Sequence, residues 1–146
     1  MTSEVYQKVQ VWVFSSGFEQ VLLLKRLANL GSYWQPVTGK VEEGETLEVA
    51  ALRELAEETG IRADRVISAA FHFSFVGRWG PAKEHVFFAE IEGAQESKIL
   101  LDPTEHVEYQ WYDSNEALGM MYYESNVLAL AEILNKRNYR ETAKKL

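Results

Sequence analysis

The stretch TLEVAALRELAEETG, Thr46 to Gly60, leaves this chain the least conformational freedom. Thr46 suits an N-cap, and Glu48 falls in the first turn, where the helix dipole favours a carboxylate. Gly60 suits the left-handed position that ends a helix. Leu47, Ala50, Ala51 and Leu55 recur at near-helical spacing, so a helix over Thr46–Thr59 with one buried face is expected. Its polar face is harder to account for. Glu54, Glu57 and Glu58 lie three and four residues apart, which crowds like charges at about 5–6 Å and costs an isolated helix a few tenths of a kcal/mol per pair. A solvated face would tolerate this. A hard divalent cation would exploit it, because Mg²⁺ takes one or two carboxylates, keeps several waters and also binds substrate phosphates.

Around this helix the pattern alternates. Val9–Phe14 reads as a strand, SSGFE as a turn and Val21–Leu24 as a second strand. Leu27–Tyr33 is expected to be a loop and Trp34–Val37 a brief strand before Gly39. After the helix, Arg65–Val76 carries strand signals, Arg78–Lys83 reads as a turn or loop, and His85–Ile91 as a strand. Glu92–Ser97 reads as a loop and Glu108–Tyr112 as a strand. Glu124–Asn135 reads as a second helix running into a basic tail, Lys136 to Lys145. Strands, helix, strands, helix, without a repeat or linker, imply one domain over residues 1–146 of the α+β class, layered α/β/α around a mixed sheet.

The chain has 146 residues, a formal net charge of −7 and no cysteine. The last excludes a disulfide framework and any thiolate ligand or nucleophile. No apolar run is long enough for a membrane span, and the start, MTSEVYQKVQ, lacks a signal-peptide pattern, so a cytoplasmic protein is expected. The acidity argues against generic nucleic-acid binding, which depends on Lys and Arg. A polyanionic substrate would need a local reversal of sign, and a divalent metal supplies one.

The wider segment GKVEEGETLEVAALRELAEETGI places Gly39, Glu45, Arg53, Glu54, Leu55, Glu57, Glu58, Gly60 and Ile61 in one pattern. It runs Gly, five residues, Glu, seven residues, then Arg-Glu-aliphatic-any-Glu-Glu-any-Gly-aliphatic. From average usage, such a match arises by chance on the order of once in ten million chains of this length. The segment resembles the signature of the Nudix hydrolases. That resemblance implies an α/β/α sandwich with a catalytic loop–helix–loop, and hydrolysis of a diphosphate linked to another moiety. It also implies roles by position. Glu54, Glu57 and Glu58 would hold Mg²⁺ or Mn²⁺ with the Gly39 carbonyl. Arg53 would orient the glutamates, braced by Glu45, and Gly60 would close the motif. Glu54 would serve as, or orient, the general base. Glu105, in TEHVEYQW, is the first candidate for a further acidic ligand or base, with Glu84 as its competitor.

Other residues stay open between roles. Arg26 and Thr38 flank the mouth of the motif and are candidates for substrate contact, against a packing role for the Trp34–Thr38 strand. Tyr122, Tyr123, Ser125 and Asn126 open the last helix and would either line a base pocket or pack. Arg78, Trp79 and Lys83 would either contact ligand or form a surface loop. His85 and His106 receive no role. VYQ, YWQPVTGKVEEGE, TEHVEYQWYD and the later ESN are similar to the bacterial dihydroneopterin triphosphate and dATP pyrophosphohydrolase branch of that family. The branch carries a lysine after its early Val-Tyr pair. Here Gln7 stands there and Lys8 follows, so Lys8 is the candidate phosphate contact.

The expected activity is therefore metal-dependent cleavage of a nucleoside or pterin triphosphate to a monophosphate and pyrophosphate. A dinucleoside polyphosphate hydrolase or an RNA 5′-pyrophosphohydrolase would use the same residues. A non-catalytic nucleotide sensor would usually have lost some of the glutamates. The expected partner is a small nucleotide or pterin triphosphate, with no membrane and no nucleic acid. The family also allows a homodimer.

Overall fold

The computed structural model describes residues 4–93 and 98–145, the last eight of these by backbone alone. The expected α+β fold is found, with a seven-stranded mixed sheet at its centre. Strand β1 (Tyr6–Phe14) runs parallel to β6 (Gly80–Glu90) along its whole length, and antiparallel to β4 (Val37–Lys40). It meets β2 (Gln20–Arg26) at Phe14 and Val21. Strand β2 in turn pairs with β3 (Trp34–Gln35) and β7 (His106–Asp113), and β5 (Ile67–Gly77) pairs with β6.

Period-2 alternation divides the core between the two faces. Val9, Val11 and Val13 of β1, with Leu22 and Leu24 of β2, pack under helix α1 (Leu47–Thr59) on Ala50, Ala51 and Leu55. Trp12 and Phe14, with Val21 and Leu23, pack on Ala129, Leu130 and Ile133 of the last helix, on the other face. This explains why the VQVWVF run is almost continuously apolar: it is covered on both sides. The even-numbered side of β1 changes character along its length. Lys8 and Gln10 occupy the end nearest the catalytic motif, and Trp12 and Phe14 the core end.

Helix α1 starts and stops as its sequence suggests. Thr46 Oγ1 accepts from the Val49 N–H at 3.2 Å, and Gly60 takes φ 76° while its N–H donates to the Ala56 carbonyl. Between β7 and the last helix, a short helix α2 (Ser114–Ala117) forms on the Asp113 side chain, which caps the Asn115 and Glu116 N–H groups. The last helix, α3, runs Glu124–Lys145, well beyond the expected Asn135. No helix among the described residues is long and apolar enough to cross a membrane.

Several expectations need correction. Arg78–Lys83 is not a loop. Only Arg78 and Trp79 turn, between the paired Gly77 and Gly80, and the following residues belong to β6. The cause is β1, whose parallel partnership with β6 already begins at Tyr6 and Ala82. Pro81, which lacks an N–H, sits at the start of the strand, where its loss costs least. Trp34–Val37 is not one strand, because Pro36 divides it into β3 and β4. The Leu27–Tyr33 loop contains a 3₁₀ turn, Ala28–Leu30. Residues 94–97 of the expected Glu92–Ser97 loop lie outside the described residues, as do the side chains of the basic tail beyond Arg137.

Leu55 is fully buried where α1 meets the sheet. Leu55→Ala is expected to lower unfolding free energy by roughly 2–5 kcal/mol, measured as a reduced denaturant midpoint with an unchanged slope.

Candidate active site

The loop before α1 is tied to the helix through one guanidinium. Arg53 Nε donates to Glu45 Oε2 at 2.7 Å and Nη2 to Glu45 Oε1 at 2.9 Å, a bidentate fork. The Arg53 Nη2 group also donates to the Lys40 carbonyl at 3.0 Å. Nη1 reaches Glu54 at 2.8 Å and Glu57 at 3.2 Å. The fork holds the Glu45 carboxyl below its ordinary range. One cation thus collects three carboxylates and the end of β4.

The three helix glutamates do not share one patch. From Glu54, a step of three residues turns about 60° one way and a step of four about 40° the other. Glu57 therefore faces outward, its side chain 55% exposed, whereas Glu58 turns under the helix and is only 2% exposed. A wet helix face does not describe Glu58. Its carboxylate accepts from the Thr38 N–H at 3.2 Å and lies within 4.8 Å of Glu105 and of a His106 ring nitrogen. Burial pushes the Glu58 carboxyl well above the ordinary carboxylate range. Glu105, near enough to share a proton, and the charge of Glu54 push the same way. Burial also raises Glu54, against the pull of Arg53.

Strand β4 passes very close to this cluster. A Cβ added at Gly39 would fall 2.0 Å from Glu54 Cδ, so any other residue here would displace the Glu54 carboxylate. The neighbouring His106 brings no positive charge. Burial and the nearby Arg26 lower its pKa to about 4, although Glu105 and Asp102 act the other way. Gln35 Nε2 donates to His106 Nε2 at 2.9 Å, and the buried Nδ1 has no partner among the described residues. Carboxylate oxygens without thiolate, and with an uncompensated buried glutamate, fit a hard divalent cation.

A cavity of about 450 Å³ adjoins the cluster. Arg26, Thr38 and Lys8, the three candidates for substrate contact, all line it, as do Tyr123, Ser125 and Asn126. Tyr122 instead stacks on Tyr33 at 5.4 Å. Arg26 Nε is buried and has no partner among the described residues. Lys8 Nζ stands 3.5 Å from Glu84 and 5.7 Å over the Phe75 ring. Glu84 thus lies in the cavity wall, apart from the Glu58–Glu105–His106 group. Trp79, at the tip of the β5–β6 hairpin, packs edge-on against Tyr6 under the Lys40 ammonium.

Residues 7–132 match the model of the NUDIX domain. The chain belongs to the Nudix hydrolase family. Among the relatives of this Nudix hydrolase is a dihydroneopterin triphosphate diphosphatase of Haemophilus influenzae, 28% identical over 144 residues, covering 88% of this chain and 87% of the relative. The structure of the Escherichia coli dihydroneopterin triphosphate pyrophosphohydrolase is similar with a TM-score of 0.73 at 28% identity, over 87% of this chain and 95% of that one. A Caenorhabditis elegans Ap4A hydrolase shares the fold with a TM-score of 0.78 at 19% identity, over 92% of this chain and 98% of that one.

Sequence reasoning on this Nudix hydrolase missed His106, Gln35 and Gln10. All three lie on strands whose other residues are core or surface, so pattern alone gave no signal. Their significance comes from partners far along the chain.

The raised Glu58 carboxyl fixes the sign of a pH effect. The folded metal-free protein holds a proton that the unfolded chain releases, so stability falls as pH rises from Glu58's unfolded pKa towards its folded one. Glu58→Gln cannot titrate. With EDTA present, this variant is expected to melt higher than the parent at pH 8, with the margin shrinking towards pH 5, as followed by circular dichroism.

Proposed function

We propose that this Nudix hydrolase is a metal-dependent pyrophosphohydrolase of a nucleoside or pterin triphosphate, releasing a monophosphate and pyrophosphate. The observation that supports it most is the buried, uncompensated Glu58 with half-buried Glu105 within 4.8 Å of it, beside a cavity that carries Arg26. In this reading Glu54, Glu57, Glu58, Glu105 and the Gly39 carbonyl would hold Mg²⁺ or Mn²⁺. Such an ion offsets the charge of the diphosphate and acidifies water.

The chain's own groups do the rest. Arg53 is braced by Glu45 and keeps Glu54 and Glu57 in place, and Gly60 ends the helix at the register this requires. Glu54 takes the proton of the attacking water. Burial, the largest cause, raises its pKa, which strengthens it as a base. The water oxygen bonds to phosphorus as the bond to the pyrophosphate oxygen breaks. Arg26, with its unpartnered Nε, binds a phosphate oxygen, Thr38 borders the reacting group, and Lys8 adds positive charge deeper in the cavity. The names of the similar proteins, two of them dihydroneopterin triphosphate hydrolases, support the triphosphate class. The same proposal places the enzyme in the cytoplasm, acting on small molecules and not on nucleic acid or membrane, as a monomer or homodimer.

With Mg²⁺, dNTPs and dihydroneopterin triphosphate are expected to be cleaved faster than dinucleoside polyphosphates, 5′-triphosphate RNA or NDP-sugars, with pyrophosphate as product. Turnover confined to the latter group would refute the substrate class. Glu54→Gln is expected to lower kcat about 10²–10⁴-fold while the protein stays folded. A nucleotide sensor would show no turnover to lose.

A further inference from the structure

The cavity wall contains a second buried carboxylate that hydrolysis does not use. Glu84, on β6, is 4% exposed and lines the cavity beside the metal cluster. It sits between Lys8 of β1 and Phe73 of β5, its register partners. Its orientation is fixed by a short polar chain. Trp12 Nε1 donates to Gln10 Oε1 at 2.6 Å, which commits the other end of that amide to donate. Gln10 Nε2 then donates to Glu84 Oε2 at 2.7 Å and to Asn126 Oδ1 at 2.8 Å. Among the described residues, the Glu84 Oε1 atom has only the long 3.5 Å contact with Lys8 Nζ. A buried carboxylate oxygen so weakly engaged retains strong accepting capacity.

The walls around it suit a flat ring. Phe73 and Phe75 line one side of the cavity and Tyr33 and Tyr123 also line it. A planar heterocycle between aromatic side chains would meet Glu84 with its edge. A carboxylate accepts and cannot donate, so the edge that suits it offers two adjacent N–H donors. Guanine and pterin rings have this edge, a ring N–H beside an exocyclic amino group. Adenine presents its amino group beside a bare ring nitrogen, whose lone pair would face the carboxylate.

We propose that Glu84 reads the substrate ring, accepting from a ring N–H and the adjacent amino group, so that the enzyme selects guanine- and pterin-type triphosphates over adenine. This rests on the triphosphate reading above and sharpens it to a substrate class. The Gln10 amide holds the carboxylate in place, and Lys8 balances its charge while the cavity is empty of ligand.

The test compares dGTP, dITP, dATP and dihydroneopterin triphosphate in steady-state kinetics. Hydrogen bonds to a charged group support a discrimination of about ten- to a hundredfold. The expected order in kcat/KM is dihydroneopterin triphosphate and dGTP above dITP, which keeps the ring N–H but lacks the amino group, and dITP above dATP. Glu84→Gln, checked for folding by its melting curve, should reduce the dGTP-to-dATP ratio towards one. A purely structural role would lower all substrates alike. Equal turnover of dGTP and dATP by the parent enzyme, or a ratio unchanged in the variant, overturns the proposal and leaves triphosphate hydrolysis standing. If the variant does not fold, the dGTP, dITP and dATP series on the parent enzyme still decides. Calorimetric binding of dGMP and dAMP separates the two readings. Tighter dGMP binding without turnover of any triphosphate keeps the role of Glu84 and removes the hydrolytic reading; equal binding removes the role of Glu84.

Discussion

Glu58 and Glu105 approach within 4.8 Å in a place where one backbone N–H, from Thr38, faces the Glu58 carboxylate. Two ionised carboxylates at that separation repel by roughly 3–4 kcal/mol at an effective dielectric of 20. That is about ten times the cost of a like pair on an exposed helix face. The fold must therefore retain a proton there or take up a cation. His106 does not help, because burial keeps it neutral. Arg53 is already divided among Glu45, Glu54 and Glu57. The helix-capping residues, the close passage of Gly39 and the Arg53 fork all serve to hold this charge imbalance in place.

The same division of labour separates chemistry from recognition. Arg53 works on the outer side of α1, where it fixes the loop and the exposed Glu57. Glu58 and Glu105 work underneath, where water is scarce and charge has greater effect. On the opposite face of β1, a second polar chain through Gln10 runs to Glu84 and Asn126. Strand β1 thus carries apolar core at one end and two distinct polar surroundings at the other. Because β4 and β6 both pair with it, a shift of β1 by one residue would exchange the surroundings.

How much of this could be read in the sequence follows from distance along the chain. The helix and its caps are local, and spacing reveals them; the Arg53–Glu45 fork, eight residues apart, followed from the resemblance to the Nudix signature. The layered α+β fold was equally legible, because the β-branched and aromatic VQVWVF run marks a strand and the stripe on α1 names a buried face. What pattern did not give is the partner of each buried polar group. Gln10 meets Glu84 and Asn126 across 74 and 116 residues, and His106 meets Gln35 across 71. Those pairings come from strand order, which no local signal encodes. The outward turn of Glu57 was available from helical geometry alone, yet spacing by three and four reads at first as one shared face. The Arg78–Lys83 segment misled for a related reason: Gly and Pro signal a turn locally, but pairing with β1 overrides them.

The central claim is that the buried glutamates are ligands waiting for a cation. Crystals of the enzyme soaked with Mn²⁺ and a non-hydrolysable triphosphate test it most directly through anomalous scattering. Anomalous density among Glu54, Glu57, Glu58, Glu105 and the Gly39 carbonyl is expected. Density only elsewhere on the surface, or none at saturating Mn²⁺, would contradict it.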